Sequence, residues 1–211
     1  MAYPTVSAPY GLKPVNLIGG QVFAGATRQL PIAAAYTTAI FNGAVVTLVA
    51  GGTIENSPLA ADTSPLAGVV GVFVGCSYTN PTNGQLTFSQ YWPGISGASN
   101  IVAFISDDPD QLYKAVNVTG TTVNNATSGL LPAYLGQTMV GSNARLVLNT
   151  GSTLTGDSKV GIFSTAGDTT SSLPLRIVDV VPDTANSSGN YVEFIVKLNF
   201  GYHSYNNALG I

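Results

Sequence analysis

The chain has 211 residues and a net charge of −3, with only 7 Lys or Arg and 10 Asp or Glu residues. Its apolar fraction of 45% excludes intrinsic disorder, because disordered chains are rich in charge and poor in apolar side chains. The few cations are scattered along the chain, which excludes a nucleic-acid partner. The longest apolar run, at 66–76, is shorter than the ~20 residues that are needed to span a membrane.

Residues 1–32 differ from the rest of the chain and form a predicted extended N-terminal arm. Prolines recur along this segment and disfavour a regular core element, yet apolar side chains are frequent. The combination is typical of a segment laid on another protein surface, and packing on the chain's own domain is the alternative. Lys13 and Arg28 are expected to pair with carboxylates of a partner. The side chains expected to be buried in that contact are Tyr10, Leu12, Val15, Leu17 and Phe23.

Residues 33–211 predict a β-sandwich-like domain with little helix. Helical periodicity is limited to two short stretches, 34–41 and 130–135, and long loops are expected within 118–172. Gly71 interrupts an apolar run, which indicates a β-bulge or a close approach of another backbone. Runs rich in β-branched residues and bounded by Gly, Pro or Asn predict strands buried on both faces at 45–50, 69–74, 101–106 and 175–181.

Alternation of apolar and polar residues predicts further strands that bury one face only. The clearest case is 191–200, in which the even-numbered residues are apolar and the odd-numbered face carries Glu193 and Lys197. Residues 144–149 repeat this pattern over a shorter length. Half-buried strands of this kind are typical of antiparallel sheets, so we expect antiparallel pairing throughout.

A hairpin is predicted at Asn83-Gly84, because this dipeptide favours the tight turns that join antiparallel strands. In the strand that follows, Leu86 and Phe88 alternate with polar residues and are expected to face the core. Roughly ten strands with almost no helix indicate an all-β fold. The expected architecture is an antiparallel β-sandwich, jelly roll or barrel-like domain with an extended N-terminal arm.

Catalytic signals are weak in this sequence. His203 is the only histidine, and no G-x-S-x-G motif supplies a nucleophile for it. Cys76 is the only cysteine and ends an apolar run, where a thiol is usually inert packing. No glycine-rich loop matches a phosphate-binding motif. We therefore expect a protein that is not an enzyme, with no catalytic residue and no cofactor.

One dense acidic cluster, formed by Asp107, Asp108 and Asp110, allows two interpretations. Carboxylates in this number suit Ca²⁺, but the spacing does not match a known calcium loop. Pro109 fits a turn after the strand at 101–106, so a solvated turn is favoured and no metal site is predicted.

The tripeptide Tyr91-Trp92-Pro93 also allows two interpretations. Exposed aromatic rings provide stacking platforms for sugars, whereas a Trp at a strand end is more often core packing. Exposure of Trp92 separates the two, because a stacking platform requires an accessible ring.

The low charge favours a protein that works in an assembly. Charged residues make up 8% of the chain, against about 25% in typical soluble proteins. A surface covered with hydroxyl and amide groups has less charge repulsion and more neutral area to bury against partners.

Several phrases of the sequence resemble capsid decoration, or cement, proteins of tailed bacteriophages. These phrases are Ala8–Pro14 with Gly19-Gly20, Gly71–Tyr78, Tyr91–Gly94, Asp107–Pro109 and Leu175–Asp179. The resemblance implies a structural virion protein that binds the outer surface of the icosahedral capsid and bridges neighbouring major capsid subunits. It also implies a homotrimer at threefold or quasi-threefold positions. The alternative is a carbohydrate- or receptor-binding β-sandwich module on a virion or cell surface.

Overall fold

The structure, a computed structural model, describes residues 9–57, 69–119, 127–128, 133–163, 168–184, 192–199, 201 and 203–206. These residues contain one α-helix, α1 (Ala133–Thr138), and two short 3₁₀ turns, which confirms the all-β prediction. The strands are β1 (Lys13–Leu17), β2 (Arg28–Pro31), β3 (Val45–Val49), β4 (Thr53–Asn56), β5 (Val69–Thr79), β6 (Leu86–Ser89), β7 (Ser99–Ser106), β8 (Gln111–Val116), β9 (Val118–Thr119), β10 (Thr127–Ser128), β11 (Asn143–Val147), β12 (Gly161–Phe163), β13 (Leu175–Val180) and β14 (Glu193–Leu198).

The first sheet has six strands in the order β1-β8-β14-β13-β11-β12, and every neighbouring pair is antiparallel. β14 lies between β8 and β13 and has the alternation predicted from the sequence, with Phe194, Val196 and Leu198 buried. Tyr191 and Phe200, at the ends of the predicted strand, lie outside the described residues. β9 and β10 form a separate two-stranded pair.

The second sheet follows the order β2-β7-β5-β3-β4, and β6 pairs with the second half of β5. A parallel bridge joins Ile32, just after β2, to Ile54 in β4, so the two ends of this sheet meet. The sheet therefore curls around an interior of its own, as in a small barrel. The sandwich-like and barrel-like expectations each describe part of this all-β fold.

Two main cores hold the fold together. The first lies on the inner face of the first sheet and includes Tyr113, Phe194 and Leu12, together with Val69 and Val72 from the second sheet. The second fills the curled sheet and includes Phe73, Trp92 and Ile105. Because β5 contributes to both cores, it connects the two layers, and this explains why its first five residues are all buried.

The second sheet contains both the predicted turn at Asn83-Gly84 and the predicted close approach of another backbone to Gly71. Asn83-Gly84 lies in the connection between β5 and β6, where the Gly84 amide donates to the Asn80 carbonyl at 2.8 Å. Gly71 lies at a register shift between β3 and β5. A Cβ at this position would overlap the carbonyl oxygen of Ser106 on β7, so the neighbouring backbone requires glycine here.

Two short-range predictions are wrong. No helix forms at 34–41, because Ile40 pairs with Trp92 through two backbone hydrogen bonds of 3.0 and 2.8 Å that are incompatible with a helix. Burial on both faces is also wrong for the strand within 175–181, in which Arg176 and Asp179 are exposed, and the strands within 45–50 and 101–106 each have residues that are only half-buried. The second predicted helix, 130–135, overlaps α1, although residues 130–132 lie outside the described residues.

The N-terminal segment also differs from the prediction. Residues 9–32 supply β1 to the first sheet and β2 to the second, so the structure has no boundary at residue 32. Pro14 and Pro31 are tolerated because β1 and β2 are the outer strands of their sheets among the strands described, with β8 and β7 as their respective neighbours, and proline is accepted in edge strands. Residues 1–8 lie outside the described residues. Among the helices described, none has the length and apolar character needed to cross a membrane.

Candidate contact surfaces

An N-terminal hairpin, residues 13–23, consists of β1 and the segment that returns beside it. Asn16 bridges to Val22, and the Leu17 amide donates to the Gln21 carbonyl at 2.8 Å. Gly20 has a φ of +82°, which the tight turn requires and which glycine adopts without strain. The hairpin is anchored to the turn just before β8, because the Ile18 amide donates to the Asp110 carbonyl at 3.0 Å.

The inner end of this segment packs on the chain's own first sheet. Leu12 is fully buried in the first core, so the prediction that it contacts a partner is wrong. The Tyr10 hydroxyl donates to Glu193 Oε1, while the Lys114 ammonium lies 5.5 Å from the centre of the Tyr10 ring. Burial beside the Glu193 carboxylate raises the pKa of Tyr10 far above its ordinary value. Glu193 was predicted to lie on the polar face of its strand. It is nevertheless buried, because Tyr10 and Lys114 cover it.

Both cations of the predicted contact pair with carboxylates of their own chain. Lys13 Nζ lies 2.7 Å from Asp157 Oδ1, and both side chains are half-buried. Arg28 Nε lies 2.8 Å from Asp107 Oδ2. The Arg28 guanidinium also stacks over the Tyr205 ring, with its Cζ 5.1 Å from the ring centre. Pairing of these cations with a partner is not needed to balance their charge.

The acidic turn at 107–110 joins the N-terminal segment to the C-terminal one. Asp107 accepts from Arg28 and from the Tyr205 hydroxyl, and Asp110 pairs with Lys197 at 2.6 Å. The side chain of Asp108 accepts from the Asp110 amide at 2.8 Å and so closes the turn. In the part of the chain that the structure describes, no three His, Cys, Asp or Glu side chains converge as a metal site.

His203 lies beneath this turn. It bridges to Val69 and is buried, and its Nδ1 accepts from the Tyr205 amide at 3.2 Å. Burial lowers the pKa of His203 below its ordinary value, although the nearby Asp107 and Asp108 carboxylates act in the opposite direction. The backbone bridge to Val69 therefore holds the C-terminal segment against β5, with the imidazole buried beside it.

Acidification should weaken this contact. Because the folded-state pKa of His203 is lowered, the unfolded chain binds more protons as the pH falls through about 6.5, and the free energy of unfolding decreases. We expect the melting temperature to fall between about pH 7.5 and about pH 5.5, and to fall less in a His203→Gln variant. Equal pH dependence of the two proteins in calorimetry would contradict this role of His203.

Trp92 is fully buried in the second core. Its Nε1 donates to the Tyr36 carbonyl at 3.1 Å, and its ring meets Tyr78 edge to face, with centres 5.3 Å apart. The neighbouring Tyr91 is half-buried and stacks on Phe41 at 5.2 Å. Trp92 therefore has no accessible ring face for a sugar.

Apart from Leu154 and Tyr205, the large apolar side chains that the described chain exposes to solvent lie on two surfaces. The first is the tip of the N-terminal hairpin, where Ile18 is 53% and Val22 is 77% exposed. Leu17 and Phe23 are half-buried behind it and line a shallow cavity with Gln111 of β8. Val15 is also half-buried.

The second surface is the outer face of the second sheet around β6. Leu86 is 61% and Phe88 is 71% exposed, so the prediction that they face the core is wrong. Their neighbour Thr87 pairs with the buried Tyr78 and occupies the core side instead. The alternation correctly predicted the strand. The error lies in the assumption that the apolar face of a strand is always the buried one.

The chain was compared with protein-family models, with curated proteins and with solved structures, and none of the three comparisons found a match.

Proposed function

We propose that this protein is a structural virion protein that binds the outer surface of a tailed-phage capsid and bridges neighbouring major capsid subunits. The proposal combines the sequence resemblance with one feature of the structure, the exposed apolar tip of the N-terminal hairpin. Ile18 and Val22 are the side chains assigned to the contact with the shell. They replace Leu12, which is buried in the protein's own core.

The hairpin is suited to this role because it is held in place before binding. Backbone hydrogen bonds fix its turn, and the bond from Ile18 to Asp110 fixes its position on the first sheet. The ion pair between Lys13 and Asp157 holds the base of β1. A preorganised contact loses less conformational entropy on docking than a flexible arm does.

Stabilisation of the shell then follows from linkage. A protein that binds assembled subunits but not dispersed ones stabilises the assembly by its binding free energy. A homotrimer, the state that the resemblance implies, presents three hairpins at once and increases avidity without new types of contact. Exposed apolar residues and a low surface charge both favour such contacts.

The test is co-sedimentation with purified particles that lack the protein. Wild-type protein is expected to pellet in fixed stoichiometry to the shell protein. Val22→Lys should weaken binding by about tenfold or more, because it places a charge in an apolar contact. Leu154→Lys is the matched control, since Leu154 is 93% exposed on a different loop.

Two results would count against the proposal. Absence of wild-type protein from the pellet at saturating concentration contradicts capsid binding itself. Equal binding by Val22→Lys and wild type leaves capsid binding in place but contradicts the assignment of the hairpin tip.

A further inference from the structure

We infer that the outer face of the second sheet around β6 is the surface through which copies of this chain bind one another. This inference rests on the self-association in the proposed function and does not depend on capsid binding. We call the surface the neutral face. Its residues are Pro31, Leu86, Phe88, Val102 and Phe104.

The register of the strands places these side chains on one face. Phe88 and Val102 both pair with Ser77 of β5, and Phe104 pairs with Gly75. Paired residues in a sheet share a face, so the two aromatic residues project on the same side across β5. Their rings lie nearly parallel, with an interplanar angle of 7° and centres 6.5 Å apart.

β5 makes room for this aromatic pair. Between the two rings it presents only Gly75, which has no side chain, and Ser77, which has a small one. β5 therefore places no bulky side chain between the two rings. Aromatic residues at a surface are typical of protein–protein contacts, in which a few such side chains carry most of the binding energy.

The edge of this surface is also open. β6 pairs with β5 on one side, and no other described strand pairs with its second side. Native proteins usually protect such an edge with a charged residue or a proline in the strand. Leu86–Ser89 contains neither, so the sequence of this strand has no feature that blocks pairing at its second side.

Charge identifies the occupant as a second copy. The sequence contains no Asp, Glu, Lys, Arg or His from residue 63 to residue 106, a stretch that includes β5, β6 and β7. A charged partner would lose hydration against this surface without gaining an ion pair. An identical copy brings an equally neutral and apolar surface, so the match in charge follows from the identity of the two chains.

The experiment measures the mass of the full chain in solution by sedimentation equilibrium from about 1 to about 100 µM. Wild type is expected to approach two or three times the chain mass of 21.6 kDa. Phe88→Lys should remain at the chain mass, with a dissociation constant raised by about a hundredfold or more, because each contact would then bury a charge. Leu154→Lys, with the same charge change on another loop, should behave as wild type.

Folding of the variants is checked by far-UV circular dichroism, and Phe88→Leu should restore association because it keeps an apolar side chain. A wild-type protein that stays at the chain mass over the whole range overturns the inference. So does a Phe88→Lys protein with the wild-type mass. If wild type is monomeric and Phe88→Lys loses binding to particles, the neutral face binds the shell instead of a second copy. Failure of wild-type protein to bind particles, with self-association intact, contradicts only the proposed function.

Discussion

Deletion of residues 2–20 is expected to lower the melting temperature by more than about 10 °C, because it removes a strand and a core residue. The deletion removes β1 from the first sheet, Leu12 from the first core and the hydrogen bond from Tyr10 to Glu193. It also exposes the carboxylate of Glu193, which loses its tyrosine partner. A freely extended arm would leave the melting temperature unchanged on deletion.

Single substitutions separate the contributions within this segment. Leu12→Ala should destabilise the protein by about 2–5 kcal/mol, since Leu12 is fully buried and the cavity is only partly refilled. Ile18→Ala is the matched control and should change the stability by less than about 0.5 kcal/mol, because Ile18 is 53% exposed. Thermal and urea unfolding followed by circular dichroism provide the measurement.

The same variants separate folding from binding. Leu12→Ala should reduce stability while the folded protein still binds particles, whereas Val22→Lys should bind poorly and melt normally. Normal melting of the 2–20 deletion, combined with loss of binding to particles, would show that the whole segment is a docking arm. The contacts described for residues 9–23 would then have little energetic weight.

Trp92→Ala is expected to destabilise the protein by about 3–5 kcal/mol, the range for removal of a large buried aromatic residue. The substitution empties the centre of the second core and removes the edge-to-face contact with Tyr78. It also deprives the Tyr36 carbonyl of its hydrogen bond from the indole. Trp92→Phe should cost less, because it keeps an aromatic ring and loses mainly that hydrogen bond.

Tryptophan fluorescence gives an independent measurement, because Trp92 is the only tryptophan. A buried indole should emit at short wavelength in the native protein and shift to longer wavelength on unfolding. Mono- and oligosaccharides should leave the native emission unchanged. Emission typical of an exposed indole, or quenching by a sugar, would contradict the burial of Trp92 and favour the carbohydrate-binding alternative.

The sequence by itself determined the fold class and most of the strands, because these depend on local patterns. Alternation in 191–200 identified β14, and Asn83-Gly84 identified the turn before β6. Gly71 indicated a bulge or a close backbone approach, because few other circumstances require a glycine within an apolar strand. Signals of this kind are read within a few residues and do not depend on the rest of the chain.

Only the tertiary structure decided which apolar residues are buried and which are free to make contacts. Leu12 and Phe88 look alike in the sequence, since each is an apolar residue in a polar or proline-rich neighbourhood. Leu12 lies against the first core and is buried, whereas Phe88 lies on the side of β6 opposite Tyr78 and is exposed. Alternation separates the two faces of a strand, but it does not show which face another layer covers. That choice depends on sheet order and on how the second sheet closes on itself, and both are set by contacts between residues far apart in the chain.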